Sequence, residues 1–235
     1  MFRTIIFKIV LGLYFTAWSP LLLIGLVSKK LSRKLVFADA AGVLVLARLI
    51  CGIKYNVHYP ATEENGIPNL PNENKRIDGK CIVAAKHMSI LEIAAISKVM
   101  PNTFFIMKRE LLWIPIYGWA FWRCGMLGVN RAKGKTNMKK LADDVEKRVL
   151  DGYTLVIFPE GTRAKPGQKI PLKRGLLLLA HTLKLPILPV GTDAGLYWPK
   201  HGRMNPGTAH VYFEPLLPSN ASLDEMSEAI NRHRA

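Results

Sequence analysis

The sequence predicts an α/β fold, a mostly parallel mixed sheet flanked by helices, preceded by a hydrophobic helical segment that anchors the chain to a membrane. Two observations predict it. From Lys54 onward, short apolar runs alternate with amphipathic stretches, the pattern of strands joined by crossover helices. Residues 1–50 are more continuously apolar than the rest, which sets them apart from a second unit at 51–235.

The N-terminal segment comes first. Ile5 to Val27 is apolar apart from Lys8, small polar residues and Pro20, long enough to cross ~30 Å of hydrocarbon. Lys29, Lys30, Arg33 and Lys34 follow, and Leu35 to Cys51 is apolar again except for Asp39 and Arg48. No A-x-A site follows the run, and the basic cluster resists translocation, so cleavage as a signal peptide is not expected. Arg3 and Lys8 place positive charge on the other side as well. A true span and a hairpin dipping into one leaflet both remain open. Either topology leaves residues 51–235 on the cytoplasmic face.

Strands are expected at Lys54–Tyr59, Cys81–Lys86, Thr103–Met107, Met126–Val129, Tyr153–Phe158, Ile187–Gly191 and Thr208–Glu214. Helices are expected between them at Ser89–Val99, Glu110–Arg123, Asn137–Leu150 and Lys173–Lys184, with a last one at Leu223–Arg232. Asp151-Gly152 closes the third of these helices. Pro189 and Gly191 are expected to shape the turn after a strand. Ala61–Lys80, rich in Asn, Pro, Glu and Gly, reads as a surface loop.

The helix at Glu110–Arg123 is unusual. It holds three of the chain's five tryptophans, Trp113, Trp119 and Trp122, with Tyr117 and Phe121, and Pro115 kinks it. Aromatics on most sides of a helix suit full burial. They equally suit an interfacial patch or the wall of an acyl-chain slot, because Trp and Tyr favour the headgroup level.

Charge narrows the partners. Lys and Arg number 33 against 17 Asp and Glu, a net charge of +16. Such an excess favours phospholipid surfaces, phosphate-bearing substrates, acidic carriers or nucleic acid. Cys51, Cys81 and Cys124 are scattered in apolar sequence without zinc-ligand spacing, and read as buried reduced thiols.

Two polar knots stand where strands end, the place where ligands bind in open α/β sheets. The first is His87, at the end of C-I-V-A-A-K, with Glu92 five positions on. An imidazole near an acid is a candidate general base. Five residues of helix turn by ~500°, so the two side chains cannot share one helix face. They meet only if His87 precedes the helix and Glu92 sits in its first turn. Ser89-x-x-Glu92 is also a capping-box signature. Glu92 then serves the helix, the imidazole, or both through different oxygens. Ser89 lacks the G-x-S-x-G surroundings of a nucleophile.

The second knot is F-P-E-G-T-R, Phe158 to Arg163. A turn with glycine and arginine is a candidate anion seat. Arg163 is the first choice for a phosphate, with Arg131 and Lys108 behind it. Glu160 would repel a phosphate, and is better placed to hold Arg163 or to contact a hydroxyl.

With Gly128–Arg131 (G-V-N-R) and Ile187–Gly191 (I-L-P-V-G), these knots stand in the order and spacing of the four motifs of the glycerolipid acyltransferases. Lys54 to Glu214 resembles that family, most closely its bacterial 1-acylglycerol-3-phosphate acyltransferases. Lys108 to Gly118, K-R-E-L with a following Pro and Gly, is similar to it too. One departure is plain: the family usually has Asp where this chain has Glu92.

The resemblance implies direct acyl transfer. His87 would take a proton from the free hydroxyl of lysophosphatidic acid, which attacks the thioester of acyl-CoA or acyl-carrier protein to give phosphatidic acid. Glu92 would hold the imidazole, and Lys108, Arg131, Glu160, Gly161, Thr162 and Arg163 would bind substrate. It implies no cofactor, metal or nucleic-acid partner, and a phospholipid membrane as the working surface. Other acceptors (glycerol 3-phosphate, another lysolipid), a lipid or thioester hydrolase, and a non-catalytic basic module are the alternatives.

Overall fold

The computed structural model describes residues 1–60, 81–130 and 138–233. The expected loop at Ala61–Lys80 and the candidate Arg131 lie outside the described residues.

Among the described residues seven strands form one sheet in the order β1-β7-β6-β2-β5-β3-β4. They are β1 (Ile53–His58), β2 (Ile82–Ala85), β3 (Thr103–Lys108), β4 (Leu127–Val129), β5 (Thr154–Ile157), β6 (Ile187–Thr192) and β7 (Gly207–Phe213). Every neighbouring pair is parallel except β6 with β7, so the sheet is mixed and mostly parallel. The central strands β2 and β6 are buried along their whole length, as strands covered on both faces must be. Because β2, β3, β4, β5 and β6 run the same way, their C-terminal ends share one edge.

The crossovers are α3 (Leu91–Val99), α4 (Tyr117–Arg123), α5 (Met138–Leu150) and α6 (Gly175–Leu183), and α7 (Leu223–Asn231) packs on β6. Ser222 and Glu225 close a capping box on α7. Gly152, at φ +83°, takes the left-handed turn after α5.

Two local expectations need correction. The helix expected over Glu110–Arg123 is broken into a 3-10 segment, Arg109–Trp113, and α4. Pro115 keeps Ile114 extended, and Ile116 turns at φ +66° with Tyr117 N–H bonded to the Pro115 carbonyl at 2.7 Å. Pro189 and Gly191 lie inside β6, not in a turn after it. Pro189 lacks an N–H, but its carbonyl still accepts from Glu214 N–H at 3.0 Å.

The N-terminal segment forms two packed helices, α1 (Phe2–Gly25) and α2 (Lys29–Cys51). Of the described helices only α1 is long and apolar enough to cross a membrane. It leaves Phe2, Ile5, Ile9, Leu13, Leu23 and Ile24 exposed, and is a candidate membrane anchor.

Both ends of α1 are held against the rest of the chain. Near the start, Met204 N–H donates to Thr4 Oγ1 at 3.1 Å and Phe7 meets Trp198 edge-on at 5.0 Å. At the far end, Arg123 Nε donates to the Leu26 carbonyl at 3.0 Å. The basic cluster is not uniformly a solvent face. Arg33 turns inward and donates to the carbonyls of Cys124, Pro101 and Thr103 at 2.8, 3.0 and 2.8 Å. All three cysteines are free and buried.

Candidate active site

The site is built on the ends of β2 and β5, neighbours in the sheet. His87 follows β2 by two residues and Glu92 lies in the first turn of α3. That is the one arrangement in which the pair can meet. His87 Nδ1 stands 2.9 Å from Glu92 Oε1.

The same oxygen also accepts from Met88 N–H at 2.9 Å and Ser89 N–H at 2.8 Å. Helix-starting and imidazole-holding roles therefore coexist through one oxygen of Glu92, not two. Ser89 Oγ in turn accepts from Leu91 N–H at 3.1 Å. Two backbone amides can only donate, so Oε1 is an acceptor and Nδ1 must carry the hydrogen. Nε2 is left with its lone pair. Glu92 is fully buried while the His87 side chain keeps 19% of its surface open.

The loop after β5 grips His87 from the other side. His87 N–H donates to Glu160 Oε2 at 2.7 Å, and its carbonyl accepts from Ala164 N–H at 2.7 Å. Phe158 stacks on the imidazole with ring centres 4.3 Å apart, and Phe105 lies behind Phe158 at 6.2 Å. Burial pushes the Glu160 carboxyl up to about 7, against the opposing pull of the His87 amide and the buried Lys86.

Gly161 takes φ +69°, and a Cβ there would meet Lys173 Cε and Nζ at 2.8 Å, so the lysine lies directly over the turn. Lys173 N–H is fixed to the Pro159 carbonyl at 2.8 Å. Arg163 is half-buried and Thr162 exposed in the same turn.

A cleft of about 820 Å³ opens beside Phe158, within the usual range for ligand sites. Ile106, Val129, Met138, Ile157, Leu176 and Leu179 line it, and Lys173 and Arg174 stand among them. The arrangement offers a base, an apolar slot and cations at one sheet edge.

The expected residues gather unevenly. His87, Glu92 and Glu160 are joined by hydrogen bonds, and Gly161, Thr162 and Arg163 complete the turn that grips His87. Lys108 ends β3, two strands from β2 and so roughly 10 Å away across the sheet. Its ammonium pairs with Glu110 at 3.7 Å. Glu160, expected beside Arg163 or a hydroxyl, accepts from the His87 backbone N–H. Phe158, Lys86, Lys173 and Arg174 were not singled out by sequence. The basic pair just before the apolar α6 was the available signal for the last two.

A family model described as Acyltransferase matches residues 63–193. A 1-acyl-sn-glycerol-3-phosphate acyltransferase of Pseudomonas aeruginosa is 33% identical over 192 residues, 78% of this chain and 70% of that protein. Its human counterpart, the beta form, is 32% identical over 143 residues, 60% of this chain and 51% of that protein. The chain thus matches about half the length of the human relative. The crystal structure of the 1-acyl-sn-glycerophosphate acyltransferase of Thermotoga maritima shares the fold, with a TM-score of 0.68 at 22% identity, covering 98% of this chain and 94% of that one.

Proposed function

This chain belongs to the acyltransferase family, and we propose that it transfers a fatty acyl group from acyl-CoA or acyl-carrier protein to 1-acylglycerol 3-phosphate, forming phosphatidic acid. The observation that carries the proposal is the 2.9 Å contact between His87 Nδ1 and Glu92 Oε1. Glu92 accepts the hydrogen bond from Nδ1–H, which leaves Nε2 as the basic atom of a partly open ring.

In the proposed step Nε2 removes the proton from the acceptor hydroxyl as its oxygen bonds to the thioester carbon. The carbon–sulfur bond then breaks, and the proton on Nε2 passes to the departing thiolate. Glu92 holds the ring and offsets the charge of the transient imidazolium, as the acid does in a Ser-His-Asp triad. The substrate alcohol occupies the nucleophile's role, so no protein nucleophile is required. The apolar cleft beside Phe158 suits an acyl chain, and Arg163 with Lys173 suits the acceptor phosphate. A net charge of +16 favours either donor, since both CoA and an acidic carrier are anions.

The working surface is proposed to be the inner membrane's cytoplasmic leaflet. The ties of α1 to the domain at Thr4, Phe7 and Leu26 support a helix that stays beside the domain. Its geometry favours lying within one leaflet over spanning. Free buried cysteines and the basic cluster agree with a cytoplasmic side.

The deciding experiment supplies purified protein with labelled acyl thioesters and a panel of lyso-acceptors, then separates the lipids. Diacyl product dependent on lysophosphatidic acid is expected. Free fatty acid released regardless of acceptor would make the protein a hydrolase instead.

A further inference from the structure

The tryptophan-rich segment is not buried. Trp113, Trp119 and Trp122 are 66%, 48% and 66% exposed, and Leu111 and Ile114 beside them are exposed too. The three indoles share a depression of about 510 Å³ with Leu26, Leu112, Arg109 and Arg123. Soluble proteins seldom leave so much contiguous apolar surface uncovered unless something docks there.

Two observations identify the occupant as a lipid leaflet. The first is continuity with α1. Leu26, just past that helix, lines the depression, Arg123 caps the Leu26 carbonyl, and Tyr117 O–H donates to the Phe15 carbonyl at 3.2 Å. Exposed Leu23, Ile24 and Val27 extend the same apolar surface.

The second is the pairing of indoles with guanidinium groups. Arg109 lies over the Trp113 ring at 5.9 Å, and its charge is not cancelled locally, because Glu110 is met by Lys108. Indoles settle at the headgroup level, and arginines there attract lipid phosphates at an anionic surface.

We infer that Trp113, Trp119 and Trp122, with Arg109 and Arg123, form a second membrane contact that docks on an anionic leaflet and fixes the domain's orientation there. The inference rests on α1 lying in the leaflet, as proposed above. A single inserted helix leaves rotation about its own axis free; a second contact removes it. The platform starts at the C-terminal end of β3, the edge that also carries His87 and the turn after β5, and runs along α4 to the start of β4. Docking it therefore lays one flank of the domain on the leaflet, with the catalytic edge beside the lipid acceptor.

The test attaches an environment-sensitive NBD label at Leu13→Cys, Trp122→Cys or Glu228→Cys, one at a time in the full chain. The native cysteines are buried and so poorly reactive. Leu13 reports α1, Trp122 the platform, and Glu228, exposed on α7 where that helix packs on β6, the side facing water. With vesicles of equal phosphatidylglycerol and phosphatidylcholine, emission should rise roughly twofold or more at 13 and 122 and stay flat at 228. A rise at 13 alone would overturn the platform while leaving the α1 anchor intact. No rise at any site would sink the membrane attachment, and this inference with it. A rise at all three would overturn the fixed orientation.

Discussion

The main-chain N–H of His87 donates to the carboxylate of Glu160 at 2.7 Å, across 73 residues of sequence. The backbone that aims the imidazole is thus fastened to a buried acid, which is 2% exposed. Glu160 in this arrangement is a positioning residue. Its ionisation is costly, because burial holds its carboxyl well above the ordinary carboxylate value.

That cost has a sign. The folded-state value, about 7, lies above the ordinary 4.5, so the folded protein binds more protons than the unfolded chain between these limits. Stability from neutral Glu160 is full below the lower limit and is lost as pH rises through the upper one. Glu160→Gln keeps a carbonyl to accept from His87 N–H and removes the charge. Its melting temperature in detergent should match the parent near pH 5. At pH 8 it should exceed the parent by several degrees, corresponding to on the order of 2 kcal/mol. Parallel pH profiles for the two proteins would show that Glu160 does not titrate in this window.

His87→Ala removes the proposed base and a ring stacked on Phe158. Transfer should fall by roughly 10²- to 10⁴-fold, the usual contribution of general-base catalysis. The backbone grip by Glu160 and Ala164 survives the substitution, so circular dichroism and the melt should change little. Initial rates decide the matter. A variant keeping more than about a tenth of the activity would remove His87 from this role.

Glu92→Gln separates charge from geometry. The amide oxygen still accepts from Met88, Ser89 and His87 Nδ1, so helix α3 keeps its start. What is lost is the negative charge that offsets the imidazolium. Activity should drop by roughly a hundredfold or more with little change in melting temperature. Glu92→Ala, in contrast, strips three buried donors of their acceptor and should cost about 3 kcal/mol of stability. Full activity in the Gln variant would show that the charge is dispensable.

Much of the fold was legible because its signals are local. All seven described strands lie where short apolar runs placed them, while α3 starts at Leu91, one residue later than a Ser89 cap indicated, with Ser89 Oγ accepting from Leu91 N–H rather than Glu92 N–H. Helix geometry also gave the one arrangement in which His87 and Glu92 could meet. What sequence could not show was contact between distant backbones. Nothing near Glu160 in the chain points to the His87 amide, and nothing in K-K-L-S-R-K says that Arg33 alone turns inward to three carbonyls. The tryptophans of the Pro115 segment were ambiguous for the same reason. Burial depends on what lies opposite, and helical periodicity does not reveal that.

Arg163 and Lys173 are both candidates for the proposed acceptor phosphate, and their geometry gives each a different signature. Arg163 belongs to the turn whose Ala164 amide holds the His87 carbonyl, so its position is coupled to that of the base. Lys173 lies over Gly161 and lines the apolar cleft, so it borders the proposed acyl slot as well. Losing a charge-assisted bond of about 1.5–3 kcal/mol weakens binding roughly ten- to hundredfold. Arg163→Ala should therefore raise KM for lysophosphatidic acid by that factor and leave KM for the thioester nearly unchanged. Arg163→Lys keeps the charge without the planar fork, and should recover only part of the loss. Lys173→Met keeps the length of the stem and removes the charge. Steady-state kinetics on both substrates then assign the seat: a larger acceptor effect at 173 than at 163 would move the phosphate from the turn to the rim of the cleft.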